Sequence, residues 1–308
     1  MNFLLKFFRY LVASKEIQPG DVILKDEPLV IGPCQESKPI CLGCYENLYT
    51  DYKCTECNIP LCCQTCPGFH QKHGHSLEEC KLLSKTKPII TSYYAITPLR
   101  CLVLKTSDPE KWRIIENMES HDTIRKNLKI WETNQQLAVD VIRNSWGLEE
   151  FSGDEIHKVC GVLEVNAFEI ASSGSKCLRA IYPNAFLFAH DCTPNTSHSD
   201  DKDYNLTVRA IRSIPVNGNI TVNYTYILQS TLKRRKHLLG TKFFSCCCKR
   251  CKDPTEFNTY AGAVLCQKCR IGKMLPVNPL DDSADWKCDS GKCGCKCGVS
   301  NIEPFLDR

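Results

Sequence analysis

The 308-residue chain contains no run of about 18 apolar residues, so no membrane-spanning helix is expected. A secretory leader is not expected either, because Lys6 and Arg9 interrupt the greasy start before an apolar h-region can form. No low-complexity segment and no internal repeat is apparent. Charge of one sign is also scarce. The 39 Lys and Arg against 35 Asp and Glu leave a net +4, too mild to argue for nucleic acid. With 43% hydrophobic and 24% charged residues, the composition is that of an ordinary globular protein. Its length suits one large domain or two to three small ones.

What the chain has in excess is cysteine, 23 in all. A disulfide framework would favour an even count, loop-sized spacing and a secreted context. Here the count is odd and the cysteines fall in tight pairs: Cys41-x2-Cys44, Cys54-x2-Cys57, Cys62-x3-Cys66, Cys248-x2-Cys251 and Cys266-x2-Cys269. Two such hooks close a tetrahedral zinc site. The expectation is therefore a zinc protein of a reducing compartment, nucleus and/or cytoplasm, without disulfides.

Residues 41–80 offer eight ligands, Cys41, Cys44, Cys54, Cys57, Cys62, Cys66, His75 and Cys80, enough for two complete tetrahedral sites. His70 and His73 compete with His75 for the histidine position, and Cys63 competes with Cys62. Ahead of this finger, Leu11–Leu24 reads as a hairpin turning at Pro19-Gly20. Behind it, Leu99, Leu102, Val103, Ile124, Leu128, Trp131, Leu137, Val141 and Ile142 recur at helical spacing. Asp108-Pro109 and Gly147 divide them into two or three helices, with Trp131 and Trp146 as core anchors. The pattern then returns to strands at Leu206, Val208 and Ala210 and at Ile220, Val222 and Tyr224, with a turn at Asn217-Gly218 between them. Lys233–Lys236 is expected on the solvated face of a helix. Cys246, Cys248 and Cys251 supply only three ligands, so a fourth must come from elsewhere. In the tail, Cys266, Cys269, Cys288 and Cys293 make a knuckle, with Cys295 and Cys297 as alternatives for its closing ligand.

A strand unit, an inserted finger, helices, a second strand unit and a Cys-x-Cys-x2-Cys cluster together resemble the SET and MYND domain proteins, above all the insect-type members. The resemblance runs from about Leu11 to about Asp289. It is carried by IQPGDVIL (Ile17–Leu24), RCLVL (Arg100–Leu104), CGVLEVNAF (Cys160–Phe168), HDCTPN (His190–Asn195), ITVNY (Ile220–Tyr224) and Cys246–Cys251 with DPTE (Asp253–Glu256). It implies an α+β chain, mostly the β SET fold of small antiparallel sheets. The SET domain would occupy 1–38 and 161–245, the MYND-type finger 41–80, a helical insert 81–160, a post-SET zinc cluster 246–256 and a Cys-rich tail 260–308. The finger's ligands would interleave, Cys41, Cys44, Cys62 and Cys66 on one zinc and Cys54, Cys57, His75 and Cys80 on the other. Cys192 would complete the set of Cys246, Cys248 and Cys251. Three zincs are thus expected, with a fourth in the tail. The resemblance further implies S-adenosylmethionine-dependent protein-lysine methylation, with Tyr224 as catalytic tyrosine and Asn166, His190 and Phe244 holding the cofactor.

Departures from the family pattern accompany the matches. Phe8-Arg9-Tyr10 aligns with the family's Gly-Arg-Gly, placing two aromatic side chains where the cofactor would lie. Ala189 replaces the asparagine of the Asn-His-Ser-Cys motif, and Asp191 adds a charge. Lys242 and Phe243 stand where a second active-site tyrosine is expected. The family's C-terminal array of helical hairpins has no counterpart up to Arg308. Weakened cofactor binding and a doubtful activity are expected. The alternative is a zinc-organised interaction module in transcriptional regulation, its finger taking proline-containing peptides. Direct sequence-specific nucleic-acid binding is not expected, because no recognition-helix pattern accompanies the ligands, and no membrane is expected as a partner, because no long apolar run is present.

Overall fold

In the computed structural model, which describes residues 10–170 and 177–306, the chain divides into two units. One takes the chain up to Asp21, Leu187–Ser197 and Ala210 onward; the other takes Val22–Phe186 and His198–Arg209.

Alternation at Leu206, Val208 and Ala210 gives the strand Leu206–Ala210, with these three side chains buried. The strand Val22–Asp26 runs antiparallel to it, Leu24 opposite Val208 and Asp26 opposite Leu206. A second sheet orders Val30–Pro33, Leu178–Ile181 and Phe168–Ile170, its central strand buried throughout. Its register sets Pro33 opposite Leu178, so Cys34 and Cys177 face each other at the sheet's end. They form a disulfide with Cα atoms 5.3 Å apart. This corrects the expectation of a disulfide-free chain, since strand register brought together two cysteines 143 residues apart.

Where two or three helices were expected, residues 96–166 hold five α-helices, Ile96–Ser107, Pro109–Glu116, Asp122–Arg125, Lys129–Asn134 and Gly153–Asn166, with the break at Asp108-Pro109 as expected. Asp108 caps Pro109–Glu116, with Pro109 at the first position. Ser152 and Glu155 form a reciprocal capping box on Gly153–Asn166. Leu99, Leu102, Val103, Ile142 and Trp146 are buried, as their spacing implies. Ile124, Leu128 and Leu137 are exposed instead. The helix Lys129–Asn134 continues into two π-helical turns, Gln135–Val139, which carries Leu137, and Val141–Ser145, which carries the buried Ile142. Trp131 is not a core anchor. It lies flat on the His157 ring, centroids 3.6 Å apart, with the Arg125 guanidinium 5.6 Å above it.

The expected Leu11–Leu24 hairpin does not form. Its turn is present, with Gly20 at φ +94° and the Asp21 N–H donating to the Gln18 carbonyl at 3.1 Å. Its first arm pairs elsewhere, Val12 bridging Asn219 and Ile17 bridging Ile214 within the first unit. An isolated two-stranded hairpin is marginal, whereas the distant partner comes with a buried face. The first unit also holds a parallel pair, Ala189–His190 beside Thr221–Val222. Its helix Thr231–Lys242 is capped by Ser230. The tail folds as an antiparallel four-stranded sheet around Val264, Met274, Trp286 and Ile302. Among the described residues no helix is long and apolar enough to cross a membrane.

Candidate metal centres and acceptor site

A bridge between Ile40 and Asn47 folds the Cys41–Cys44 segment into a hook, and one between Lys53 and Pro60 does the same for Cys54–Cys57. The helix Leu77–Ser84, capped by Ser76, brings in Cys80. The ligand atoms of Cys41, Cys44, Cys62 and Cys66 lie within 4.8 Å of one another, as do those of Cys54, Cys57, His75 and Cys80. His70 stacks on Phe69, His73 faces Glu27, and Cys63 is exposed; all three fall outside the quartets. A tetrahedral zinc with bonds of about 2.3 Å has sulfur–sulfur edges of about 3.8 Å. The separations here are 3.5 Å for Cys41–Cys66, 3.7 Å for Cys44–Cys62 and 3.7 Å for Cys54–Cys80, so the residues fit that ion.

Behind the second quartet stands a group that the sequence reading missed. His75 Nε2 is 3.2 Å from the Cys57 sulfur, while Nδ1 is 2.7 Å from the Glu79 carboxylate. Arg100 holds that carboxylate at 2.8 Å and donates to the carbonyls of Leu42 and Ile31 and to the Tyr45 hydroxyl. Burial alone would raise the Glu79 carboxyl, but Arg100 and His75 together hold it below the ordinary carboxylate range. The one sequence signal was spacing, since His75 and Glu79 are four apart at a helix start. Glycine makes room for this packing. A Cβ on Gly68 would meet the Gly43 carbonyl oxygen at 2.1 Å.

In the first unit Cys192, Cys246, Cys248 and Cys251 form a third quartet within 4.8 Å, with Cys192 3.9 Å from Cys246 and 3.5 Å from Cys251. His190 joins it to Tyr224. The Tyr224 N–H donates to His190 Nδ1 at 3.0 Å, which leaves the proton on Nε2, 3.2 Å from the Cys192 sulfur. Burial pushes the His190 imidazole down to about 4 and the Tyr224 phenol up to about 12, so both are neutral near pH 7. The Tyr224 hydroxyl donates to the Phe188 carbonyl. Phe244 lies alongside, its ring 5.9 Å from His190.

Lys233–Lys236 does not present a wholly solvated face, because Arg234 is fully buried and Arg235 nearly so. Arg234 reaches Glu256 at 2.7 Å and the Cys192 sulfur at 3.3 Å, and Arg235 donates to the Cys246 carbonyl at 2.6 Å. The cysteine cluster turned the cationic run inward.

Asn166 belongs to the second unit, where its amide nitrogen donates to the carbonyls of Val162 and Glu119. Of the departures, Phe8 lies outside the described residues, and Tyr10 is exposed. Asp191 is only half-buried and accepts from the Thr193 N–H and hydroxyl at 2.7 and 2.9 Å, so its added charge stays solvated. Phe243 ends its helix at φ +60°.

The tail quartet Cys266, Cys269, Cys288 and Cys293 also closes within 4.8 Å, with Cys266–Cys293 at 3.7 Å and Cys269–Cys288 at 3.8 Å. Cys295 and Cys297 lie outside it.

The family model described as SET domain matches residues 9–225. The chain is 30% identical over 296 residues to the SET domain-containing protein SmydA-8, isoform A, of Drosophila melanogaster, covering 91% of this chain and 62% of that protein. It is 25% identical over 258 residues to the histone-lysine N-methyltransferase SMYD3 of Homo sapiens, covering 79% of this chain and 58% of that protein. The chain thus spans about three fifths of the length of these curated relatives. Among solved structures, the SET domain of LSMT bound to lysine and AdoHcy matches with a TM-score of 0.37 and 12% identity, over 77% of this chain and 50% of that one.

Proposed function

The chain belongs to the SET-domain family, in its SET and MYND domain-containing branch, and from that premise we propose that it is a protein-lysine methyltransferase with weakened cofactor capture. The observation that carries this reading is the disposition of Tyr224. Its backbone is fixed by His190, and its hydroxyl proton is given to Phe188. The phenol oxygen keeps acceptor capacity for the N–H of an incoming lysine amine, which steers the amine lone pair. Burial keeps Tyr224 protonated at neutral pH, so it orients the amine and does not act as a base. The low-polarity surroundings that move both His190 and Tyr224 also favour a neutral amine.

The residues fit S-adenosylmethionine. His190 lies between the Tyr224 and Phe244 rings, 5.3 and 5.9 Å from them, and the Thr225 hydroxyl and Gln229 amide oxygen, on the loop that follows Tyr224, are buried without a partner among the described residues. His190 and Phe244 would hold the cofactor. The chemistry it supplies when bound is an electrophilic methyl on a sulfonium. Ala189 offers no side-chain hydrogen bond, which weakens that hold by about 1–3 kcal/mol. Four zinc ions per chain are supported by the four quartets. The test is transfer of labelled methyl from S-adenosylmethionine to lysine-containing proteins. Slow turnover that disappears in Tyr224→Phe supports the reading; turnover retained in that variant overturns it.

A second reading has its own support. A concavity of about 700 Å³ beside the finger is lined by Leu48, Tyr49, Tyr52, Pro60, Ile90 and Tyr93, with Tyr49 87% exposed. It suits a proline-containing peptide of a partner protein. Titration with such peptides should show binding that Tyr49→Ala weakens; no binding by the unmodified chain would exclude it.

A further inference from the structure

We propose that Arg234 is a positioning residue of the Cys192 centre, fastening its thiolates by direct hydrogen bonds. The inference rests on the proposed zinc occupancy of that quartet. An arginine carries five N–H donors, and in Arg234 all five are accounted for. Nε faces the Cys192 sulfur at 3.3 Å; one terminal nitrogen serves Glu256 at 2.7 Å and the Gln229 carbonyl; the other serves the Thr231 hydroxyl at 2.9 Å and the Cys251 sulfur at 3.9 Å. The side chain is fully buried. A flexible surface cation would not be held this way.

Charge explains the arrangement. Four thiolates around one divalent ion carry a formal charge of −2, which a buried site must offset. Glu256 cannot do so; it is shared by Arg234 and Arg250, with the Arg250 guanidinium 2.9 Å away. Two guanidiniums and one carboxylate leave +1 beside the quartet. Arg250 spends part of its own donor set on the Cys192 carbonyl at 3.3 Å, so the cation that faces sulfur is Arg234. The Cys192 sulfur also receives the Nε2 proton of His190, whose other nitrogen anchors the Tyr224 backbone. Holding Cys192 therefore holds the support of Tyr224. Outer hydrogen bonds of this kind fix ligand orientation and metal retention.

The experiment uses the full chain loaded with cobalt(II) in place of zinc, in the unmodified form and as Arg234→Lys and Arg234→Met. Arg234→Lys keeps the charge and loses the fork. A thiolate that loses a hydrogen bond becomes a better electron donor. Both variants should therefore bind a full complement of metal, while the near-ultraviolet thiolate-to-cobalt band moves to lower energy. Release of one metal equivalent to a chelator should quicken at least tenfold in Arg234→Met and less in Arg234→Lys. If Arg234→Met does not fold, the band of Arg234→Lys decides. An unmoved band with unchanged release overturns the proposal. So does loss of a whole equivalent with no shift in the rest, which would make Arg234 a structural salt-bridge partner only. None of these readouts uses methyl transfer, so failure of the proposed enzymatic function would be seen separately.

Discussion

Removing Arg100 would leave Glu79 buried as a charge with only His75 to answer it. Arg100→Met should cost about 3–5 kcal/mol in denaturant unfolding. Adding Glu79→Gln should recover part of that loss; a loss below about 1 kcal/mol would show that the pair contributes little. Tyr224→Phe removes a buried hydroxyl bonded to the Phe188 carbonyl. It should cost only about 1 kcal/mol by the same measurement, abolish turnover and leave cofactor affinity unchanged. At this scale the finger's thiol and imidazole positions were legible, because Cys and His at hook spacing have few competing uses, whereas Cys192 came only with the family resemblance. Glu79, Arg100, Arg234 and Glu256 were not. Charged side chains default to solvent, and only the assembled quartets make their burial favourable.

Elements were legible where local chemistry alone dictates them. Asp108-Pro109 marks the helix Pro109–Glu116, whereas the capping box of Ser152 and Glu155 on the helix Gly153–Asn166 went unread. Ser152→Ala should cost about 1 kcal/mol of stability; no measurable change would mean that packing alone holds that helix end. The π-helical turns and the partner exchange of the Leu11–Ile17 arm left no such trace, since both follow from distant packing. The finger's close backbone approach was equally silent. With Gly68 against the Gly43 carbonyl, Gly68→Ala should force the two apart and lower the zinc retained by the finger after chelator challenge. Retention equal to the unmodified chain would contradict this.

Across the whole molecule, four quartets predict four zinc equivalents by elemental analysis, where the sequence reading expected three and a fourth in the tail. Binding at structural sites of this kind is worth roughly 10–16 kcal/mol of folding free energy each, so chelation should unfold the chain in steps. Two or fewer metals would remove the Cys192 and tail centres from the account. The α+β layout came with the family resemblance, and strand alternation and helical period were consistent with it. The Cys34–Cys177 disulfide was not, because it depends on sheet register. The central claim, a SET protein that binds its cofactor weakly through an altered motif, is tested most directly by calorimetric titration of S-adenosylmethionine into the unmodified chain and its Ala189→Asn variant. Binding should be at least tenfold weaker in the unmodified chain, a difference of about 1.4 kcal/mol. Low-micromolar affinity in the unmodified chain with no gain from Ala189→Asn would contradict it.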